Sequence, residues 1–192
     1  MHGHELIIKN KELFKNLKGK SLLEIGTERG CGSTILLAEM AEEIGMDFIT
    51  VDVDEEQTKN VIKPLNKINS AFKTITEYGE IFLKNFKGEI GLIYLDAFDF
   101  WHDNHSQERI DAYKKRGTEI TNENCWKMHY NCAVELVKLM KEGTYICFDD
   151  VLSKEPEWEG KGKLAIPYLL NNGFNIKIYE PNCIILERCI KK

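Results

Sequence analysis

Long apolar runs are missing from this chain. No stretch approaches the ~18 to 20 residues that a membrane-spanning helix needs, so no membrane partner is expected. The first residues, Met-His-Gly-His-Glu, show no basic segment followed by an apolar core, so no secretory leader is expected. An excess of positive charge is missing as well. With 26 Lys and Arg against 31 Asp and Glu, the formal net charge is −5. A nucleic-acid backbone, which favours a basic face, is therefore not expected as a partner. The six cysteines (31, 125, 132, 147, 183 and 189) include no C-x-x-C pair, and several fall in apolar runs. Reduced, buried cysteines are expected rather than disulfides or a zinc site, and with them a cytoplasmic location. Proline is scarce, at 4 of 192 residues. No internal repeat, low-complexity tract or linker interrupts the chain, so residues 1–192 read as one domain with one core.

What is present is an alternation of strands and helices. The apolar residues of Glu5 to Lys18 suit an N-terminal helix within 1–20, ended by Gly19. Strands are expected over 21–26, 47–53, 71–75, 90–96 and 144–148. Helices are expected over 33–44, from about 54, and over 80–86, 122–141 and 163–171. Residues 174–179 and 183–188 read as a terminal hairpin turning at Glu180-Pro181-Asn182. The pattern predicts an α/β fold: a doubly wound, Rossmann-like sheet, mostly parallel, with one antiparallel C-terminal hairpin strand. Residues 97–120 break the rhythm. They are polar and aromatic and read as an active-site loop or insertion.

The stretch Ser21 to Leu37, SLLEIGTERGCGSTILL, organises the rest. An apolar strand ends in Glu24 and Gly26, and Gly30, Gly32 and Ser33-Thr34 lead into a helix. Glycines there let the backbone approach a ligand, and Ser33 or Thr34 can cap the helix. The spacing is G-x-x-x-G-x-G, not the dinucleotide fingerprint G-x-G-x-x-G, and no Tyr-x-x-x-Lys pair is present. A nicotinamide-dependent reductase is thereby disfavoured.

LEIGTERGCGST, ITVDVD, LIYLDAFDF and LMKEGTYICFDDV resemble, in that order, the motifs of class I S-adenosylmethionine-dependent methyltransferases. The nearer likeness is to small O-methyltransferases with E-I-G-x-x-x-G-x-S-T, D-x-D-H-S and a terminal D-D. Here the first motif has one extra residue before the serine, and the second is interrupted as DAFDFWHDNHS. The resemblance implies S-adenosylmethionine as cofactor. Glu24, Gly26, Thr27, Gly30, Gly32 and Ser33 would hold it at the first turn, and Asp52 and Val53 at the second strand. Thr76 and Glu77 would border the adenine, with Asp96 at the reacting end.

Asp52 ends the second strand, where an acid can accept bonds from both ribose hydroxyls; otherwise it is a solvated strand-end acid. Asp96, Asp149 and Asp150 are expected to converge at neighbouring strand tips. Clustered acids repel unless protonated or neutralised by a cation, so a divalent ion, Mg²⁺ above all, is expected there. Asp99 and Asp103 are substitutes. His102 and His105 lie in the same loop as candidate bases, with His105 preferred on the family pattern and Asp96 as a further proton acceptor. His129, inside a helix, reads as structural. Phe98, Trp101 and Tyr113 are expected to cover cofactor or substrate, or to form loop core. The expected activity is methyl transfer to a hydroxyl of a small molecule or sugar with help from a divalent metal. The alternatives are a metal-independent N- or O-methyltransferase and a non-catalytic cofactor-binding protein. The exposed aromatics of 97–120 also leave a homo-oligomer open.

Overall fold

A parallel sheet covered on both faces needs strands apolar on both faces. The strands of this chain have that character: all five residues of SLLEI are buried, as are all six of IGLIYL. The structure, a computed structural model, describes residues 1–27, 32–68, 71–153 and 156–189. The elements run α1 (Gly3–Lys9), a 3-10 turn (Lys11–Leu17), β1 (Ser21–Ile25), α2 (Ser33–Ile44) and β2 (Asp47–Asp52). Next come α3 (Glu55–Asn60), α4 (Ile62–Leu65), β3 (Phe72–Thr76), α5 (Gly79–Asn85) and β4 (Ile90–Leu95). Then follow α6 (Gln107–Lys115), α7 (Asn122–Leu139), β5 (Tyr145–Ser153), β6 (Glu159–Gly160), α8 (Ala165–Asn171), β7 (Phe174–Glu180) and β8 (Asn182–Arg188).

The strands lie in the order β3-β2-β1-β4-β5-β8-β7, with β6 paired to β5. From β3 to β5 every pairing is parallel. β8 runs antiparallel to β5 on one side and β7 on the other. Alternate residues of each strand feed two cores. Leu23, Ile25, Val51, Leu95 and Phe148 pack with α5, α7 and α8. Leu22, Phe48, Leu92, Tyr94 and Cys147 pack with α1 and α2. The strand order reverses between β1 and β4, and a crevice opens there beyond the carboxyl ends of the strands. The described cysteines 125, 132, 147, 183 and 189 are unpaired. Among the described residues, no helix is long and apolar enough to cross a membrane.

The departures from the sequence expectation have local causes. The N-terminal helix is α-helical only to Lys9, where the Asn10 side chain donates Nδ2–H to the Leu6 carbonyl (2.8 Å) alongside its own backbone N–H. Phe14 and Leu17 reach the core on a 3-10 turn instead. The 97–120 segment contains a helix, α6, capped by the Ser106 hydroxyl, which accepts from the Arg109 amide. Its apolar stripe is too thin to show by periodicity. β5 extends past the two aspartates, with a bulge between Phe148 and Val151 where Asp150 sits at φ +50°. The short β6 adds a second antiparallel partner to the expected one.

Candidate functional site

A cleft of about 500 Å³ occupies the crevice, lined from the ends of β1, β2 and β4, by α6 and α7, and by Asp150 and Lys161. Its floor is set by Gly26, at φ +103°. A Cβ there would sit 2.7 Å from the Ala97 nitrogen and the Asp96 carbonyl oxygen, so only glycine lets the β1 turn pass the tip of β4. Thr27 follows and donates its amide to Asp52 Oδ2 (3.0 Å), while Asp54 donates its amide to Asp52 Oδ1 (2.7 Å). Burial raises the Asp52 pKa, and these two amides offset it. The carboxylate is thus oriented and lines the cleft at the tip of β2, with Val53 beside it. Asp54 is committed elsewhere: it caps α3 through the Glu56 amide (2.9 Å) and pairs with Arg116 Nη2 (2.5 Å).

Glu77 lines the same end of the cleft. So do Gln57 and Glu80, whose Oε1 and Oε2 respectively are buried and find no hydrogen-bond partner among the described residues. Buried acceptors are normally satisfied, so two unfilled ones at this end fit a ligand that brings N–H or O–H donors, as adenosine does. S-adenosylmethionine therefore fits the residues present. Sequence reasoning missed Gln57 and Glu80 because a polar residue on a surface helix carries no signal of where it points.

Several expected cofactor contacts have other duties. Glu24 is fully buried beneath the turn. It accepts from Ser33 Oγ (2.7 Å) and from Thr50 Oγ1 (2.7 Å), tying the start of α2 to β2. Burial pushes its pKa up to about 7, with the hydroxyl bonds from Ser33, Thr50 and Thr34 opposing. Glu24, Gly32 and Ser33 thus support the turn from behind and do not line the cleft. Thr76 shares a hydrogen bond with Thr58 of α3 (2.7 Å) and does not line the cleft. Gly30 lies outside the described residues.

At the other end stand Asp96, Asp150 and Lys161. The Lys161 ammonium pairs with Asp96 Oδ1 and, at 2.9 Å, with Asp150 Oδ2. Its side chain is only 6% exposed. Burial alone would lower its pKa, but Asp96 and Asp150 outweigh that and hold it above the ordinary lysine value. Asp149 does not join them. Consecutive strand residues point to opposite faces, and the positive φ of Asp150 keeps the two apart. Asp149 Oδ2 accepts from Tyr94 OH (2.8 Å) and lies 3.3 Å from His2 Nδ1. Tyr94 OH also lies 3.0 Å from Asp96 Oδ2, so one hydroxyl stands between two carboxylates. The Asp96 pKa is raised by burial first, and by Asp149 against the pull of Lys161.

This arrangement does not bring the expected Mg²⁺ ligands Asp96, Asp149 and Asp150 together around one open position. Two of the three carboxylates already share an ammonium, which has donors and no lone pair to offer a metal, and the third faces the α1 side. No cluster of three metal-ligating side chains occurs among the described residues. The substitutes fare no better: Asp99 pairs with Arg109 (2.5 Å), and Asp103 lies on an exposed turn.

His102 and His105 lie together in the loop before α6. Their rings stack at 3.7 Å, and neither lines the cleft. His105 Nε2 is 2.6 Å from the Phe100 carbonyl, which makes that nitrogen a donor. His129 is structural: fully buried, with Nδ1 donating to the Cys125 carbonyl (2.8 Å), and held neutral by burial with a pKa near 3. Phe98 and Tyr113 do form a wall, edge to face at 5.0 Å, whereas Trp101 is half exposed and lies off the cleft. α6 lines the cleft through Arg109 and Tyr113 and is tied down by Arg109–Asp99 and Arg116–Asp54. Lys161 was the largest omission. It sits in EGKGK, twelve residues after Asp149, where the sequence reads as a glycine loop.

This sheet order, with its antiparallel β8 beside β5, is the Rossmann-like fold of S-adenosylmethionine-dependent methyltransferases. Among solved structures the chain is similar to the calicheamicin-biosynthesis enzyme CalS11, a TDP-rhamnose 3'-O-methyltransferase. The TM-score is 0.62 at 11% identity, over 96% of this chain and 77% of that one. It is also similar to the methyltransferase PaMTH1 of Podospora anserina, solved with S-adenosylhomocysteine bound (TM-score 0.60, 15% identity, 94% and 76% covered). A third neighbour is the ribosomal protein L11 methylase of Lactobacillus delbrueckii subsp. bulgaricus (TM-score 0.57, 15% identity, 96% and 80% covered). At these identities what is shared is the fold. No protein-family model matches the chain, and no curated protein does.

Proposed function

We propose that this chain is an S-adenosylmethionine-dependent methyltransferase acting on a hydroxyl of a small molecule, sugars included. The observation that carries it is the division of one cleft in the methyltransferase fold. An oriented acid, Asp52, and unfilled acceptors stand at one end, and a half-buried carboxylate, Asp96, stands at the other. The cofactor supplies an activated methyl, so the chain's task is to align the acceptor in line with it. Asp52 would take the ribose hydroxyls. Asp96 would accept the proton of the acceptor hydroxyl as its oxygen gains the methyl, a role expected of it in place of His102 and His105. The acceptor would enter a cleft of about 500 Å³ walled in part by the tied-down α6, which favours a small acceptor over a macromolecule. The net charge of −5 speaks against nucleic acid. The neighbour that methylates TDP-rhamnose supports a sugar hydroxyl as the first acceptor to try. Calorimetry of the full chain with S-adenosylmethionine and S-adenosylhomocysteine tests the cofactor half. Saturable one-to-one binding is expected, and no heat of binding at millimolar concentration overturns it. Mass spectrometry then separates hydroxyl from amine acceptors by the product formed.

A further inference from the structure

We propose that Lys161 is the built-in cation of the acceptor site and occupies the position at which a divalent ion would otherwise neutralise Asp96 and Asp150. This inference rests on the methyltransferase reading for its chemistry, but its geometry stands apart. A lysine normally runs its stem along the surface and keeps its head in water. Here the head is buried between two carboxylates and still borders the cleft. The backbone is shaped to bring it there. Gly160, at φ +89°, lies so close to β5 that a Cβ would come within 1.9 Å of the Asp150 carbonyl oxygen. The Lys161 amide donates to that same oxygen at 3.0 Å. On the other side, a Cβ on Gly162 would meet Ile166 Cδ1 at 2.2 Å. Two glycines thus let a short chain segment fold flat against the bulge in β5 and present the one side chain between them.

An ammonium has three N–H donors. Asp96 Oδ1 and Asp150 Oδ2 take two of them. Among the described residues nothing takes the third, which is available to an oxygen of the acceptor, beside the carboxylate proposed to take its proton. A fixed positive charge in a partly desolvated cleft stabilises an oxygen that is losing a proton, which is the electrostatic service a metal gives elsewhere. An ammonium and a divalent ion cannot both occupy the space between the same two carboxylates.

The test uses Mn²⁺ alone as probe, followed by electron paramagnetic resonance on the full chain. Wild type is expected to bind none above background. Lys161→Ala removes the charge and the side chain, Lys161→Met removes the charge alone, and both are expected to gain Mn²⁺ affinity, Lys161→Ala by roughly tenfold or more, the order by which neighbouring groups move metal sites. Lys161→Arg keeps the charge and is expected to gain nothing. Wild type binding Mn²⁺ as tightly as Lys161→Ala overturns the proposal, as does the absence of a gain in both neutral variants. S-adenosylhomocysteine calorimetry on the same preparations reports whether each variant is folded. Wild type failing to bind S-adenosylhomocysteine would count against the methyltransferase reading alone, while the Mn²⁺ comparison would still decide the role of Lys161.

Discussion

Glu24 links the cofactor turn to the stability of the whole fold. It is fully buried, accepts hydroxyl hydrogen bonds and has no cationic partner among the described residues, and burial holds its pKa near 7 instead of 4.5. A carboxyl that binds its proton more tightly folded than unfolded favours the folded state less as pH rises between those two values. Below about pH 4.5 both states are protonated and Glu24 contributes nothing to the pH dependence. Above about pH 7 the folded state carries the full cost of a buried carboxylate. At 1.36 kcal/mol per pH unit the cost comes to about 3 kcal/mol, or roughly 6 to 12 °C in Tm for a chain of this size. Glu24→Gln keeps the shape and cannot ionise. Its amide can still accept from Ser33, and it can donate to Thr50, which can turn its own hydroxyl toward Thr27 Oγ1, 2.6 Å away. Denaturant unfolding of wild type and Glu24→Gln across pH 5 to 8 reads the effect as a difference, which cancels every other titrating group. The variant should gain on wild type from pH 5 to about pH 7, level off above that, and be the more stable protein at pH 8. A wild-type-minus-variant difference that is flat with pH would refute the assignment of Glu24 as a buried acid with a raised pKa.

Two further outcomes follow from the same geometry. Asp52→Asn keeps the side chain's size but removes its charge, and should weaken S-adenosylhomocysteine binding by roughly ten- to a hundredfold, the worth of hydrogen bonds to a charged group, measured by calorimetry. Arg116→Ala cuts the latch from α6 to Asp54. The pair is about a quarter exposed (25% and 24%), so global stability should fall by no more than ~1 kcal/mol. Amide exchange over 107–115 should nevertheless speed up while that of α7 does not, and unchanged protection there would show that α6 is held by something else.

The strands were legible because a doubly covered parallel sheet requires unbroken apolar runs, and LLEI, FITV and GLIYL are such runs between turn residues. α2 was legible to the residue, since a small residue opens it and Gly45 closes it in the left-handed conformation. Asp52 was legible for a related reason: the end of a strand beside β1 faces the crevice in any fold of this topology. α6 was not, because its identity depends on the Ser106 cap and two salt bridges rather than on an apolar stripe.

The sequence by itself determined the order of strands and helices, the crevice at the first turn and the acid at the tip of β2. Periodicity, caps and glycines are local properties, and these features follow from them. Only the tertiary structure decided what the remaining charges do. Asp149 and Asp150 are neighbours in the chain, but at the bulge in β5 one turns to Tyr94 and His2 and the other to Lys161. Glu24 sits one residue from the cleft-lining Ile25, yet works behind the turn. Lys161, a loop lysine by its neighbours in sequence, reaches Asp96 from 65 positions away and neutralises the acids that had pointed to a metal. Charge pairing acts through space over a few ångströms, and no pattern of spacing along the chain records it.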